Sequence, residues 1–248
     1  MELLVEFIIG RLQYNIKFSK MAIIKNTPNV HLSGLILYVD SFNVKSYISG
    51  SNSFFDLSGY KNNLTIVGST SFSNSFFELN GNTSSYFYIS NFQIPTDKIT
   101  CEIWCLSNIS ESNNGIVSYA TNTSDNEFLI YNSQNVALYL SGSNFLTSSQ
   151  NIADGKWKQI VRTSNRTTGV ERLYINGELK FSGTLLAGRN FSSSGTLVIG
   201  QEQDSVLGGF DISQSFNGKF STLLIYNDVL TDAQILKNFT SLKNRYDV

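Results

Sequence analysis

The sequence predicts an all-β protein, a two-sheet antiparallel sandwich of jelly-roll type closed by one short C-terminal helix. Three observations carry this. Short runs in which apolar and polar residues alternate recur along the chain, from LILYV at 35–39 to STLLIYN at 221–227, and such alternation marks strands with one face buried. Valine, isoleucine and aromatic residues crowd these runs, as a pleated, half-buried surface favours. Clusters of Ser, Asn and Gly separate them as turns, and no helical period intervenes until the end of the chain, which leaves antiparallel pairing as the connection rule. A chain of 248 residues suffices for one large sandwich.

The elements follow in order. Leu12, Tyr14, Ile16 and Phe18 alternate with polar neighbours and read as a strand. The opening MELLVEFIIG predicts neither a signal peptide nor a membrane span, because Glu2 and Glu6 interrupt its apolar run and no basic start precedes it. Residues 1–33 are assigned to an N-terminal arm or extension, with Met21 a second possible start, and residues 34–248 to the sandwich. Strands are then expected at LILYV, NLTIV (63–67), SFFELN (75–80), YFYIS (86–90), ITCEIWCL (99–106), GIVSYA (115–120), EFLIYN (127–132), VALYL (136–140), KQIVRTS (158–164), ERLYING (171–177), TLVIG (196–200) and STLLIYN. Thr231 and Gln234 form a capping box, and Ala233, Leu236, Phe239 and Leu242 give the following helix an apolar face.

Composition narrows the function classes. A formal net charge of −1 supplies no basic field, so nucleic acid is not an expected partner. The two cysteines, Cys101 and Cys105, lie four apart in one strand, about 13 Å at ~3.3 Å per residue, too far for a disulfide between them, and are expected as buried thiols. The single histidine, His31, sits in a loop and gives no catalytic triad or zinc site. Trp157 is read as core. Seven Asn-x-Ser/Thr sequons match the abundance of those residues, and glycosylation is not inferred from them. No enzyme is expected.

The most informative stretch is GQEQDSVLGGFDISQ, residues 200–214. Glu202, Asp204, Asp211 and Gln214 offer side-chain oxygens, Gln203 a carbonyl, and Gly208 with Gly209 a reversal that brings the halves together. Calcium takes such mixed oxygen sets; a solvated polar loop is the competing reading.

This loop resembles the calcium loop of the pentraxins, and SYATNTSDNEFLIY at 118–131 resembles that family's other calcium-contributing segment. DLSGYKNN (56–63), DGKWKQIV (154–161), LYINGEL (173–179) and FNGKFSTLLIYNDVLTDAQI (216–235) resemble the wider laminin-G and concanavalin A-like superfamily. The resemblance implies a concanavalin A-like sandwich that binds Ca²⁺. One ion would use Asp125, Asn126, Glu202, Asp204 and the Gln203 carbonyl; a second would share Glu202 and Asp204 and add Asp211 and Gln214. Asp211 stands where the family usually has the longer Glu. It further implies that Tyr131 lies beside the ligand, that Leu146 replaces a ligand-contacting Glu so that a choline-like group is not supported, and that Val161 occupies the position of the disulfide partner of Cys101.

The expected function is a non-catalytic, calcium-dependent binding module for carbohydrate or phosphate-bearing surface ligands. The opening GLILYVDSFNVKSY is also similar to domains of bacteriophage structural proteins, which implies a virion adhesion or decoration role at a virion surface or outside the cell. Residues 1–20 would serve homo-oligomer or virion assembly by adding a strand to a neighbour. A purely structural assembly protein with a structural calcium loop is the alternative, and a glycan hydrolase of the same fold the third reading.

Overall fold

The computed structural model describes residues 28–68 and 70–248, together with the backbone of two short strands, β1 (Phe7–Ile9) and β2 (Leu12–Tyr14). These two pair antiparallel as a sheet of their own. Leu12 and Tyr14 of the expected arm strand therefore fall in β2, while Ile16 and Phe18 lie outside the described residues.

The chain continues through β3 (Leu35–Asp40), β4 (Ser53–Phe54), β5 (Leu64–Val67), β6 (Ser71–Ser73), β7 (Phe76–Asn80), β8 (Tyr86–Phe92) and β9 (Lys98–Ser107). Next come β10 (Gly115–Thr121), β11 (Ser124–Tyr131), β12 (Ala137–Leu140), β13 (Asn144–Thr147), β14 (Trp157–Asn165), β15 (Val170–Ile175) and β16 (Glu178–Thr184). After β17 (Gly195–Ile199) and β18 (Asn217–Tyr226) the helix α1 (Asp232–Leu242) follows. One sheet runs β13-β12-β11-β10-β17-β8-β5-β4, and the facing sheet runs β16-β15-β14-β9-β18-β7-β6 with β3 also paired to β18. All pairings are antiparallel, from β10 with β11 to β14 with β9. The result is the expected jelly-roll sandwich with one C-terminal α-helix.

Between the sheets lies an aromatic core. Phe54, Phe77, Phe87 and Phe220 are fully buried and meet at ring separations of 5.1 Å (Phe54–Phe77), 4.9 Å (Phe77–Phe87) and 5.0 Å (Phe87–Phe220). Such tilted and edge-on pairs add to the area they bury. A second cluster covers the outer face of the β9–β14–β18 sheet, where Trp104 stacks on Tyr246 at 4.2 Å and Trp157 packs against Phe76. Trp157 is a core residue. Val30 is buried in this cluster too, so packing begins ahead of Gly34.

The helix carries the capping box read from Thr231 and Gln234, but its buried face differs from the expected one. Ile235, Asn238 and Leu242 point inward, whereas Ala233 and Leu236 are exposed. The cause is a polar residue at a core position. Asn238 donates to Glu102 Oε2 at 2.7 Å and to Tyr226 Oη at 2.9 Å, and its Oδ1 accepts from the His31 backbone. Glu102 is buried without a cation and accepts also from Trp104 Nε1 and Gln159 Nε2; burial pushes its carboxyl above the usual range. Its network ties α1 and the residue 30–31 segment onto the sheet.

Both cysteines are buried free thiols, each pushed up to about 12 by burial. In the register of β9 and β14, Arg162 lies opposite Cys101 and Val161 opposite Glu102. Val161 faces the outer cluster and Cys101 the inter-sheet core. Arg162 crosses the sandwich instead. It donates to Glu171 within its own sheet and, through Nη1, to the carbonyls of Leu129 at 3.0 Å and Tyr139 at 2.8 Å in the other. Arg166 shares Glu171 with it. Among the described residues no helix is long and apolar enough to cross a membrane.

Candidate metal centre

The segment between β17 and β18 folds onto the outer face of the first sheet because its amides and glycines fix it there. Gly200 is pinned at both ends of the loop, donating to Ile116 O and accepting from the Phe216 amide. Gln201 donates to Asn82 O at 2.7 Å and accepts from Ser215. Gln203 sends Nε2 to Ser118 Oγ and Thr196 O, and its Oε1 accepts from the Leu207 amide at 2.9 Å. A bridge between Ser205 and Gly208 reverses the chain. Gly209 then packs so close that a Cβ there would lie 2.6 Å from the Asp204 Cβ, with φ at +70°, a combination only glycine tolerates. At Gly115 a Cβ would lie 2.3 Å from the Glu202 amide, so that glycine lets Glu202 press against the start of β10.

This packing gathers four of the expected ligands. Glu202 is only 3% exposed, and its carboxyl is pushed up to about 7, first by burial and then by the charges of Asp204 and Asp125. The Asn126 side chain lies close enough to act in the opposite, lowering direction. Even so, Glu202 Oε2 and Asn126 Oδ1 are buried oxygens with no hydrogen-bond partner. Asp125 and Asp204 line one open cleft of about 420 Å³ beside them. Unsatisfied buried oxygens normally carry a desolvation cost, and a hard cation would satisfy both at once while neutralising the carboxylates around it. The donor set therefore fits Ca²⁺. Among the described residues no three acidic, histidine or cysteine side chains form a ready-made cluster, so amide, carbonyl or ligand oxygens must complete the coordination.

The remaining expected residues stand apart from that quartet. The Gln203 side chain is committed to the loop's own fold, which leaves its carbonyl for a metal. Asp211 is exposed and caps the short turn Ile212–Gln214, accepting from Ser213 N at 2.8 Å and Ser213 Oγ at 2.9 Å; these bonds hold its carboxyl below the usual range. Gln214 reaches Tyr131 Oη at 3.5 Å. Tyr131 lies within the fields of both Glu202 and Asp211, and burial foremost pushes its phenol upward. It thus sits between the quartet and the Asp211 turn.

Two residues next to Tyr131 escaped the sequence reading. Tyr139 packs edge-on against Tyr131 at 5.7 Å and stacks on Phe145 at 4.7 Å. Tyr139 and Phe145 are opposed in the β12–β13 hairpin. Leu146 pairs with the core residue Leu138, so the outward place beside the site belongs to Phe145, which is 48% exposed. The alternation of VALYL and NFLT about the Ser141–Gly142 turn carried this signal; an ungapped alignment misses it.

The Pentaxin family profile matches residues 75–244 of this chain. C-reactive protein 3.3 of Limulus polyphemus is 35% identical over 144 residues, covering 56% of this chain and 60% of that protein. A rat protein described as sushi, von Willebrand factor type A, EGF and pentraxin domain-containing protein 1 is 37% identical over 139 residues, 55% of this chain but 4% of that much longer protein. Matches to these curated relatives thus leave a good part of each relative uncovered. Among solved structures, the heptameric SAP-like pentraxin from Limulus polyphemus aligns with TM-score 0.56 at 25% identity, over 64% of this chain and 78% of that one. The binding domain of botulinum neurotoxin DC shares the fold, with TM-score 0.64 at 20% identity over 84% of this chain and 52% of that one. With the profile match extending over more than half of its length and through the Glu202 loop, the chain belongs to the Pentaxin family.

Proposed function

We propose that the protein is a non-catalytic binding module that uses calcium to hold carbohydrate or phosphate-bearing ligands. The observation that carries this reading is the pair of unpartnered buried oxygens, Glu202 Oε2 and Asn126 Oδ1, beside Asp125 and Asp204. Ca²⁺ supplies open coordination positions that exchange water for ligand oxygens. The chain's own residues do the rest: Glu202, Asp204, Asp125 and Asn126 hold the ion, and Tyr131 offers an apolar face beside it.

Burial also argues against the hydrolase reading. A glycosidase sets two carboxyls about 5–9.5 Å apart on either side of an accessible glycosidic bond. Glu202 is almost wholly covered and does not present such a group.

Weak single sites gain from display in several copies. The solved Limulus relative is heptameric, and a homo-oligomer is the assembly proposed here. Its proposed setting is an extracellular or virion surface, the latter resting on the resemblance of residues 34–47 alone. Binding to a glycan array and to phosphate-bearing ligands, measured in millimolar Ca²⁺ and in EGTA, tests the function. Ligand capture that EGTA abolishes is the expected result; capture unaffected by EGTA overturns it.

A further inference from the structure

A second cleft, of about 550 Å³, lies where β9 begins and β18 ends. Its walls come from the residue 31–34 segment, from Tyr60, from Asp97 and Lys98, and from the turn that follows β18. None of these residues belongs to the Glu202 loop or to β11, so this cleft shares no side chain with the candidate metal centre.

The walls are fixed before any ligand arrives. The Asn227 amide donates to Gly34 O at 2.8 Å, and Gly34 has a φ of +75° where a Cβ would lie 2.7 Å from Asn227 Oδ1. Thr100 Oγ1 ties down the turn, donating to Asp228 O at 2.7 Å and accepting from the Leu230 amide at 2.9 Å. The Asp97 carbonyl accepts from the Arg166 amide at 2.7 Å. Tyr60 is presented by a turn built on Asp56, whose carboxylate accepts from the amides of Tyr38, Ser58 and Asn62. Its neighbours Gly59 and Lys61 both have positive φ, +96° and +63°. Left-handed backbone at a lysine is uncommon, and here it holds up a tyrosine that is 63% exposed rather than one that packs into the core. Strain of that kind gathers where ligands are held.

The polar groups select the ligand. Among the described residues the Asp97 carboxylate and the Tyr60 phenol make no hydrogen bond. Lys98 Nζ stands 3.7 Å from Asp228 Oδ1, an ion pair too long to be a hydrogen bond. Carboxylates that only accept thus lie beside an ammonium that only donates. A cationic ligand would meet Lys98, and a phosphate would meet two carboxylates. A neutral sugar both donates and accepts at each hydroxyl, which suits both kinds of wall, and its ring offers an apolar face to Tyr60. The volume falls in the range of small-molecule sites.

We infer that this cleft is a second, metal-independent site for a neutral monosaccharide or short saccharide, with Tyr60 as its stacking ring and Asp97 and Lys98 as its hydroxyl partners.

A single open cleft without an ion to anchor the sugar binds weakly, so the test is made in solution and not on a washed array. The full-length protein is titrated in EGTA with glucose, galactose, mannose and N-acetylglucosamine, followed by ligand-observed NMR, with methylammonium and inorganic phosphate as charged alternatives. At least one of the sugars should bind, and neither charged probe should compete with it. Tyr60→Ala should weaken that sugar about three- to tenfold, the worth of one aromatic contact, whereas Tyr60→Phe should keep most of the affinity. Asp97→Asn should weaken it as well. All three variants should melt as the unaltered protein does, because the altered side chains are exposed. Glu202→Ala should bind the sugar as before. Absence of sugar binding in EGTA, binding untouched by both Tyr60→Ala and Asp97→Asn, or binding lost in Glu202→Ala overturns the inference. The calcium-dependent rise in melting temperature reports on the metal centre separately, so either site can fail while the other stands.

Discussion

Asn126 and Glu202 are neighbours in the candidate metal centre, and each keeps one buried oxygen, Oδ1 and Oε2, that no donor in the protein satisfies. Two incompletely satisfied polar groups buried together are costly. With Asp125 and Asp204 adjoining, the cost is one that a cation removes.

Calcium should therefore stabilise the protein. An ion that binds only the folded state at about 100 times its dissociation constant contributes about 2.7 kcal/mol, which for a chain of this size corresponds to roughly 5–10 °C. Thermal melts in millimolar Ca²⁺ and in EGTA measure it. Coincident melts would remove the metal from the account.

The proposed ions should separate by mutation. Glu202→Ala is expected to abolish calcium binding, because Glu202 is central to the first set and shared with the second. Asp211→Ala should leave one ion per chain and lower stability slightly through the lost cap on Ser213. Titration calorimetry counts the ions. Equal stoichiometry in the two variants would contradict the sharing of Glu202.

The pH dependence follows from the same carboxyl. Folding raises Glu202 from its ordinary value of 4.5 to about 7, so the folded metal-free protein holds a proton that the unfolded chain has released between those values. Its contribution to stability is thus fully present below about pH 4.5 and is lost as pH rises to about 7. Calcium needs the ionised form, so its affinity should fall as pH drops below about 7, with a proton released on binding. Calorimetry in buffers of different ionisation enthalpy detects that proton. Affinity independent of pH between 5 and 8 would show that Glu202 is not a ligand.

Much of the fold was legible because it is written in local patterns. The alternating runs gave most of the strands, Thr231 and Gln234 gave the helix start, and Gly208–Gly209 gave the reversal that seats Asp204. The misses share a cause, in that each depends on a partner distant in sequence. Asn238 is on the buried face of α1 because Glu102 is beneath it, and nothing near Asn238 announces that. Phe145 faces the site through its pairing with Tyr139, and Arg162 is buried because Glu171 and two carbonyls of the opposite sheet receive it. The acidic loop itself was readable as a set of oxygens; which of them are buried and unpartnered was not.

Arg162 offers a test of how the two sheets are held. Arg162→Ala leaves Glu171 with one cation instead of two and strands the Leu129 and Tyr139 carbonyls, so a loss of roughly 3–5 kcal/mol is expected. Because those carbonyls belong to the strands that carry Asp125, Tyr131 and Tyr139, calcium affinity should fall with stability. Arg162→Lys should recover part of both. Chemical denaturation beside calcium titration reads the pair; a full loss of stability with undiminished calcium affinity would confine Arg162 to the core.

The last prediction concerns the first twenty residues. β1 and β2 pair with each other and belong to neither sheet of the sandwich, and the described core is assembled from Val30 onward. A protein beginning at Met21 should therefore fold, with an unchanged circular dichroism spectrum in the sandwich region and the same calcium-dependent rise in melting temperature. If the arm serves assembly through its strand edges, the shortened protein should lose self-association, since exposed edges are templates for pairing with another chain. Light scattering of both forms at equal concentration decides it. A shortened protein that folds and associates as before would assign assembly to the sandwich, whereas one that unfolds would make the arm part of the core.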